Sequence, residues 1–106
     1  MDSALNPANV MRYPADLKYH AENRKWQGIP SMERTRKGRL YVNFYSGMKT
    51  EESGNFVVLI HSDDNGNTWT DTEIVIEHSD PECRCFDPAL WLDPLGRLWF
   101  TWTQSY

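Results

Sequence analysis

Short apolar runs alternate with polar turn sequences along most of the chain. Six of these runs are candidate strands, several of them rich in β-branched and aromatic residues, and no segment shows a convincing helical period. The stretches between them contain the Gly, Asn, Asp and Pro residues typical of turns. The pattern therefore predicts an all-β fold. The predicted strands are GIPSMERT (28–35), RLYVNFYSG (39–47), NFVVLIHS (55–62), TEIVIEH (72–78), CFDPALWLD (85–93) and RLWFTWTQSY (97–106).

Two parts of the chain repeat one pattern at a constant offset. Pro30 corresponds to Pro88 and Gly38 to Gly96, so that both pairs are 58 residues apart, and two aromatic positions coincide at the same offset. A period near this length with four strands per unit is the signature of a β-propeller blade. The expected organisation is an N-terminal arm over 1–25, a first blade over 26–82 and the first half of a second blade over 83–106. The N-terminal segment is polar and without a period, which indicates an arm or a strand that needs a partner.

Propeller blades bury their faces against neighbouring blades, and about four to eight of them close a ring. One blade and a half would leave apolar sheet faces and a strand edge exposed. Two arrangements satisfy this requirement. Either the chain is a fragment of a larger propeller, or several copies assemble into a ring, and self-association is then expected.

The segment HSDDNGNTWT (61–70) places several oxygen-bearing side chains close together, as a calcium loop does. A helix-loop-helix calcium loop requires a Gly at its sixth position and an acidic ligand at its twelfth. Counted from Asp63, those positions hold Thr68 and Ile74, and counting from Asp64 fits no better. The strands predicted on both sides favour a β-hairpin turn instead. We expect no metal here and no cofactor.

Within this hairpin, Ser62-x-Asp64-x-Gly66-x-Thr68-Trp69 resembles the Asp-box of sialidases and other sialidase-like propellers, with all five fixed positions present. The resemblance runs from about Trp26 to the end, about three quarters of the chain, and is to the N-terminal portion of a bacterial sialidase-like glycoside hydrolase. It implies a turn between the third and fourth strands of a blade, tied by the Asp and Ser/Thr side chains, with the Trp packed beneath. Such a box is structural and carries no chemistry. The resemblance further implies a six-bladed glycoside hydrolase that acts on a terminal, possibly acidic, sugar.

The motif that opens the first blade differs from the family pattern. Sialidases have F/Y-R-I-P, in which the Arg binds the sugar carboxylate, whereas this chain has QGIP with Gly28 at that position. Glycine cannot supply the bidentate, charge-assisted hydrogen bonds of a guanidinium. A substrate carboxylate would therefore depend on Arg24 or Arg84. Together with Gln27, these two residues are candidate substrate-binding residues.

In an up-and-down meander, the loop KTEESG (49–54) and the segment CRCFD (83–87) lie at the end opposite the Asp-box. The resemblance places the acid/base residue in that loop, where Glu51 is the first candidate and Glu52 the second. Such an acid works if apolar surroundings raise its pKa, and the alternative is a solvated loop charge. Asp87 matches a family residue that contacts a sugar hydroxyl. Its alternative is an Asx turn before a proline.

The nucleophile has no candidate in this sequence. Retaining sialidases use a Tyr assisted by a Glu, and in the family both come from later blades. The expected function is therefore that of a sialidase-like glycosidase of which this chain is only a fragment. Whether the chain is itself an enzyme stays open. The alternative is a non-catalytic propeller module that binds glycans or proteins at the same end.

Charge and cysteine content narrow the choice of partners. The net charge is −4 and no basic run exceeds RTRKGR, so nucleic acid and anionic membranes are not expected partners. The partner that the resemblance implies is a carbohydrate or glycoconjugate. Neither a signal peptide nor a membrane-spanning run is visible. Cys83 and Cys85 are too close for a typical disulfide, and a zinc site with His78 lacks a fourth ligand. Reduced thiols favour the cytoplasm.

Overall fold

The computed structural model describes residues 3–106, which form two antiparallel β-sheets. Strands account for 47% of the structure and helical residues for 9%, so the all-β class is confirmed. The strands are β1 (Asn9–Arg12), β2 (Trp26–Arg34), β3 (Leu40–Gly47), β4 (Phe56–Ser62), β5 (Ile74–Glu77), β6 (Arg84–Leu92) and β7 (Leu98–Ser105). Short 3-10 turns cover Ser3–Leu5, Leu17–Tyr19 and Ala21–Asn23.

The first sheet has the strand order β1-β5-β4-β3-β2, and the second consists of β6 and β7. Strands β2 to β5 form a continuous antiparallel meander, as expected for strands joined by short turns. Strand β1, which lies in the N-terminal arm, pairs with β5 and adds a fifth strand at the edge. The arm therefore contributes a strand to the first sheet.

The two sheets repeat one backbone pattern at an offset of 58 residues. A β-bulge interrupts both hairpins at the same place, around Ile29 in β2 and Asp87 in β6, with φ angles of 46° and 45°. Positive φ is rare for residues other than Gly, above all for a β-branched one. The turns that follow also correspond, with φ of 99° at Gly38 and 82° at Gly96. Matching Cα partners are Gly28↔Tyr45 with Phe86↔Thr103, and Ser31↔Asn43 with Ala89↔Thr101.

The N-terminal arm covers one face of the first sheet. Tyr19 is 5% exposed, and its ring meets Phe56 edge-on at a centroid distance of 5.1 Å. Its hydroxyl donates to Glu77 Oε1 at 2.6 Å, so the phenol also has a polar partner. The buried side chains on this face are Tyr19, Phe44, Phe56, Val58 and Val75.

The second sheet covers the other face. Tyr45, Val57 and Ile76 of the first sheet pack against Cys85, and Phe86, Phe100 and Trp102 complete this core. Two side chains of β2 also bond the backbone of β6. Ser31 Oγ accepts from Leu90 N and Glu33 Oε2 accepts from Leu92 N, both at 3.1 Å. These bonds fix the position of β6 beside β2.

The structure describes the cysteines, the candidate metal ligands and the helical segments over residues 3–106. Both cysteines are buried free thiols, and burial raises the pKa of Cys85 to about 11. No group of three or more His, Cys, Asp or Glu side chains in this range is arranged to hold a metal ion. None of the helical segments in the same range has the length and apolar character needed to cross a membrane.

Candidate functional site

The loop between β3 and β4 is fastened to the start of β6. Asn55 is buried, and its amide nitrogen donates to Ser46 O and Thr50 O while its oxygen accepts from Glu52 N at 2.7 Å. Cys85 N donates to Asn55 O at 3.0 Å. The loop 48–55 and the first residues of β6 therefore lie together at one end of the sheets.

At this end, Tyr45, Glu51 and Arg84 form a hydrogen-bonded cluster, called here the Tyr45–Glu51–Arg84 cluster. Tyr45 Oη donates to Glu51 Oε1 at 2.6 Å, and Arg84 Nη1 donates to the same oxygen at 3.4 Å. The Arg84 guanidinium lies 3.8 Å from the centroid of the Phe86 ring, a cation–π contact. The structure thus brings together Glu51 and Arg84, which are 33 residues apart in sequence.

The environment of Glu51 favours the carboxylate. The hydrogen bond from Tyr45, followed by that from Arg84, lowers the pKa of Glu51 below its ordinary value. A general acid needs a raised pKa, and the pKa of Glu51 is lowered instead. The expectation that apolar surroundings raise the pKa of Glu51 is therefore wrong for this arrangement. Burial, together with the bond to Glu51, raises the pKa of Tyr45 to about 12, so this phenol stays protonated and acts as a donor.

The two other acidic candidates at this end differ in their settings. Asp87 is exposed at the bulge of β6, and its charge contributes to the raised pKa of Tyr45. It is therefore near the cluster and free to face solvent. Glu52 accepts from Lys49 N at 3.3 Å and so binds the backbone of its own loop. Its side chain is used for loop structure.

The Trp26 ring lies so close to Gly28 that any side chain at this position would meet it. A Cβ atom at position 28 would lie 2.8 Å from Trp26 Cη2 and 3.5 Å from Tyr45 Cζ. The Trp26 ring in turn contacts Tyr45 at a centroid distance of 5.0 Å. The space beside position 28 is thus filled by an indole, and a longer side chain there would have to displace it.

Arg24 and Gln27 are not brought into the cluster. The Arg24 side chain is 5% exposed, donates to Tyr19 O at 2.8 Å, bonds Thr72 Oγ1 and lies over the Phe44 ring. It therefore lies on the face covered by the arm, opposite Tyr45, and burial lowers its pKa. Gln27 is the Cα partner of Ser46, the neighbour of Tyr45. Because side chains alternate along a strand, Gln27 points away from the face of the first sheet that carries Tyr45 and is covered by the second sheet, called here the Tyr45 face.

The Asp-box residues form a tied turn at the other end of the first sheet. Asp64 Oδ1 accepts from Ser62 Oγ and from Thr68 N, each at 2.8 Å, and its second oxygen accepts from the Thr68 hydroxyl. These bonds lower the pKa of Asp64 to about 2. Gly66 has φ of 88°, and its carbonyl accepts from Trp69 Nε1 at 3.1 Å. The Trp69 side chain is 38% exposed.

Three residues of this end were not singled out from the sequence: Trp26, Tyr45 and Asn55. For Tyr45, the pairing of the predicted strands could have indicated its role. Once β2 and β3 are paired, Tyr45 stands opposite Gly28, so a large ring faces a residue without a side chain. Asn55 lacks such a signal, because its role depends on the fold of a polar loop.

Comparison with protein-family models, with curated proteins and with solved structures finds no match to this chain.

Proposed function

We propose that this chain forms one blade and half of the next in a sialidase-like β-propeller glycoside hydrolase, with the Tyr45–Glu51–Arg84 cluster at the sugar-binding end. The observation that carries the proposal is the backbone repeat. The same register, the same bulge and the same turn recur at an offset of 58 residues. A meander repeated and stacked in this way is the construction unit of a propeller.

In this proposal β2 and β6 are the innermost strands of neighbouring blades. The bonds from Leu90 N to Ser31 and from Leu92 N to Glu33 support it, because they join these two strands across the interface. The tied Asp-box turn lies between β4 and β5, the third and fourth strands of the meander. This is the position that the resemblance assigns to such a box.

The cluster offers the chemistry that a sugar requires. Glu51 and Asp87 are exposed carboxylates that can accept hydrogen bonds from hydroxyl groups, and Arg84 is a donor beside them. Glu51 is the proposed acid/base residue, on the condition that bound substrate separates it from Tyr45 or Arg84 and so raises its pKa. A nucleophile from a further blade completes the mechanism.

The second candidate function is a non-catalytic propeller module that binds a glycan or a protein at this end. The lowered pKa of Glu51 favours it, since a carboxylate held by two donors is a poor proton donor. The Trp26 ring beside Gly28 also favours it, because the family's carboxylate-binding Arg at this position would have to displace that ring.

Hydrolysis and binding, measured on the same variants, test both functions. Fluorogenic sialosides, hexuronides and neutral hexosides are the substrates, and calorimetry with the matching free sugars reports binding. If Glu51 is the acid/base residue, Glu51→Gln lowers hydrolysis about 100-fold or more and leaves sugar affinity within a few-fold. Glu22→Gln, an exposed carboxylate of the arm, is the matched control and leaves both unchanged.

Binding without hydrolysis in wild type and both variants supports the binding module, and it overturns the enzyme when the assayed protein includes the blade that supplies the nucleophile. Neither binding nor hydrolysis of any sugar overturns the carbohydrate proposal as a whole. Equal hydrolysis by wild type and Glu51→Gln assigns the acid role to another residue.

A further inference from the structure

The second sheet exposes an apolar face. Trp91 and Trp99 are cross-strand partners in β6 and β7, and they are 57% and 48% exposed. Trp99 is held in place, because its Nε1 donates to Asp93 Oδ2 at 2.9 Å and the Arg97 guanidinium lies 5.5 Å from its ring centroid. This surface, called here the Trp91–Trp99 face, contains a shallow depression of about 250 Å³ lined by Ala89, Leu90, Trp91, Trp99 and Thr101.

The repeat indicates what kind of surface covers this face. At the offset of 58 residues, Ala89 corresponds to Ser31 and Thr101 to Asn43, which lie on the Tyr45 face of the first sheet. That face is already covered, because the second sheet packs on it with Phe100 and Trp102. The established contact thus joins one face of a unit to the opposite face of the next unit.

The second sheet packs on the Tyr45 face with the side that carries Leu90 and Phe100. The corresponding side of the first sheet is only partly covered. Met32 corresponds to Leu90 at the same offset, yet Leu90 is 8% exposed, whereas Met32 is 60% exposed. The arm covers the neighbouring part of this face around Phe44 and Phe56. An exposed apolar surface therefore remains around Met32 and the half-buried Val42, called here the Met32 face.

We propose that the Trp91–Trp99 face of one copy of this chain docks on the Met32 face of a second copy. The intermolecular contact continues the one between the two sheets of a single chain, displaced by one repeat. An apolar partner surface suits the Trp91–Trp99 face, since the side chains that line its depression are aliphatic or aromatic apart from Thr101. Two different faces make the contact head-to-tail, so that it closes into a ring or extends as a stack.

Light scattering of the purified chain over a concentration series tests this proposal, which rests on the repeat and does not require glycosidase activity. Wild type is expected at two or more times the mass of one chain. Met32→Lys and Trp91→Lys each block one face and are expected at the mass of one chain. Their equimolar mixture retains one intact pair of faces and is expected to form a one-to-one complex of twice that mass.

Val10→Lys is the control, because Val10 is 59% exposed on the edge strand β1, outside both faces; it is expected to assemble as wild type does. Ala89→Lys adds a charge to the Trp91–Trp99 face without removing a Trp and replaces Trp91→Lys if that variant does not fold. A wild-type chain that stays at single-chain mass overturns the proposal. Assembly lost in Trp91→Lys but intact in Met32→Lys also overturns it, because it shows that the Trp91–Trp99 face pairs with itself.

Discussion

At the scale of single residues, the Trp26 ring connects Gly28 with Tyr45, the residue that donates a hydrogen bond to Glu51. Its indole fills the space beside Gly28 and contacts the Tyr45 ring, and Tyr45 donates to Glu51. The absence of a side chain at position 28 therefore allows Trp26 to contact the Tyr45 ring, and this contact positions the Tyr45 hydroxyl that donates to Glu51. A change at Gly28 is expected to reach Glu51 through these two rings.

Gly28→Ala is expected to destabilise the protein by about 1–3 kcal/mol, the usual cost of overpacking. The added Cβ would stand 2.8 Å from Trp26 Cη2, so the indole must move away from Tyr45. Urea unfolding followed by tryptophan fluorescence measures the change. The control is Gly28→Ala combined with Trp26→Phe, whose smaller ring leaves room for Ala, so that the two costs are not additive. Additive costs would contradict this account.

Part of the candidate site could be predicted from the sequence, because strand connectivity fixes which loops share an end. Glu51 and Arg84 were expected at one end, and they are in contact there. Arg24 could not be placed in the same way. Its position depends on the path of the arm across the opposite face, which is set by contacts with Tyr19 and Thr72 that leave no local pattern.

At the scale of elements, the six strands predicted over residues 28–106 match β2 to β7 to within two residues at each end. Alternating apolar residues and turn residues are local signals, and this agreement follows from them. For β1 the sequence indicated only an arm or a strand that needs a partner, and the local mark of each bulge is a single proline, Pro30 or Pro88. The four residues of β1 pair with Ile74–Glu77, and neither this distant pairing nor the positive φ of Ile29 can be read from neighbouring residues.

The Asp-box hairpin depends on an ionised Asp64, and its contribution to stability therefore depends on pH. The folded pKa of Asp64 is lowered to about 2, whereas an unfolded Asp titrates near its ordinary value of about 3.9. The stabilisation is present above the unfolded pKa and is lost as the pH falls through the folded pKa. The difference in unfolding free energy between wild type and Asp64→Asn should therefore shrink from pH 5 to pH 2.

Urea unfolding of both proteins at a series of pH values measures this difference. Glu22→Gln, which removes an exposed carboxylate from the arm, controls for the change in net charge. A difference between wild type and Asp64→Asn that stays constant from pH 5 to pH 2 would show that the Asp64 carboxylate does not tie the turn.

At the scale of the whole molecule, the arm and the second sheet enclose the first sheet from opposite sides. Tyr19 closes one side over Phe56, while Cys85 and its aromatic neighbours close the other over Tyr45. The arm also reaches the second sheet, since Gln104 Nε2 donates to Ala4 O and Asn6 O at 2.6 Å. Because the arm contacts both sheets, we expect the three parts to unfold together.

Tyr19→Ala is expected to destabilise the whole chain by about 3–5 kcal/mol, as for other buried aromatic residues. It removes the ring that packs on Phe56 and the donor of Glu77, which lie in different strands of the first sheet. Tryptophan fluorescence and far-UV circular dichroism should report one coincident transition in urea, at a lower midpoint. Leu17→Ala, a change at a residue that is 63% exposed in the same arm, should stay within about 0.5 kcal/mol of wild type. If Tyr19→Ala behaves like Leu17→Ala, the arm is a separable appendage, and the face that it covers becomes available to a neighbouring sheet.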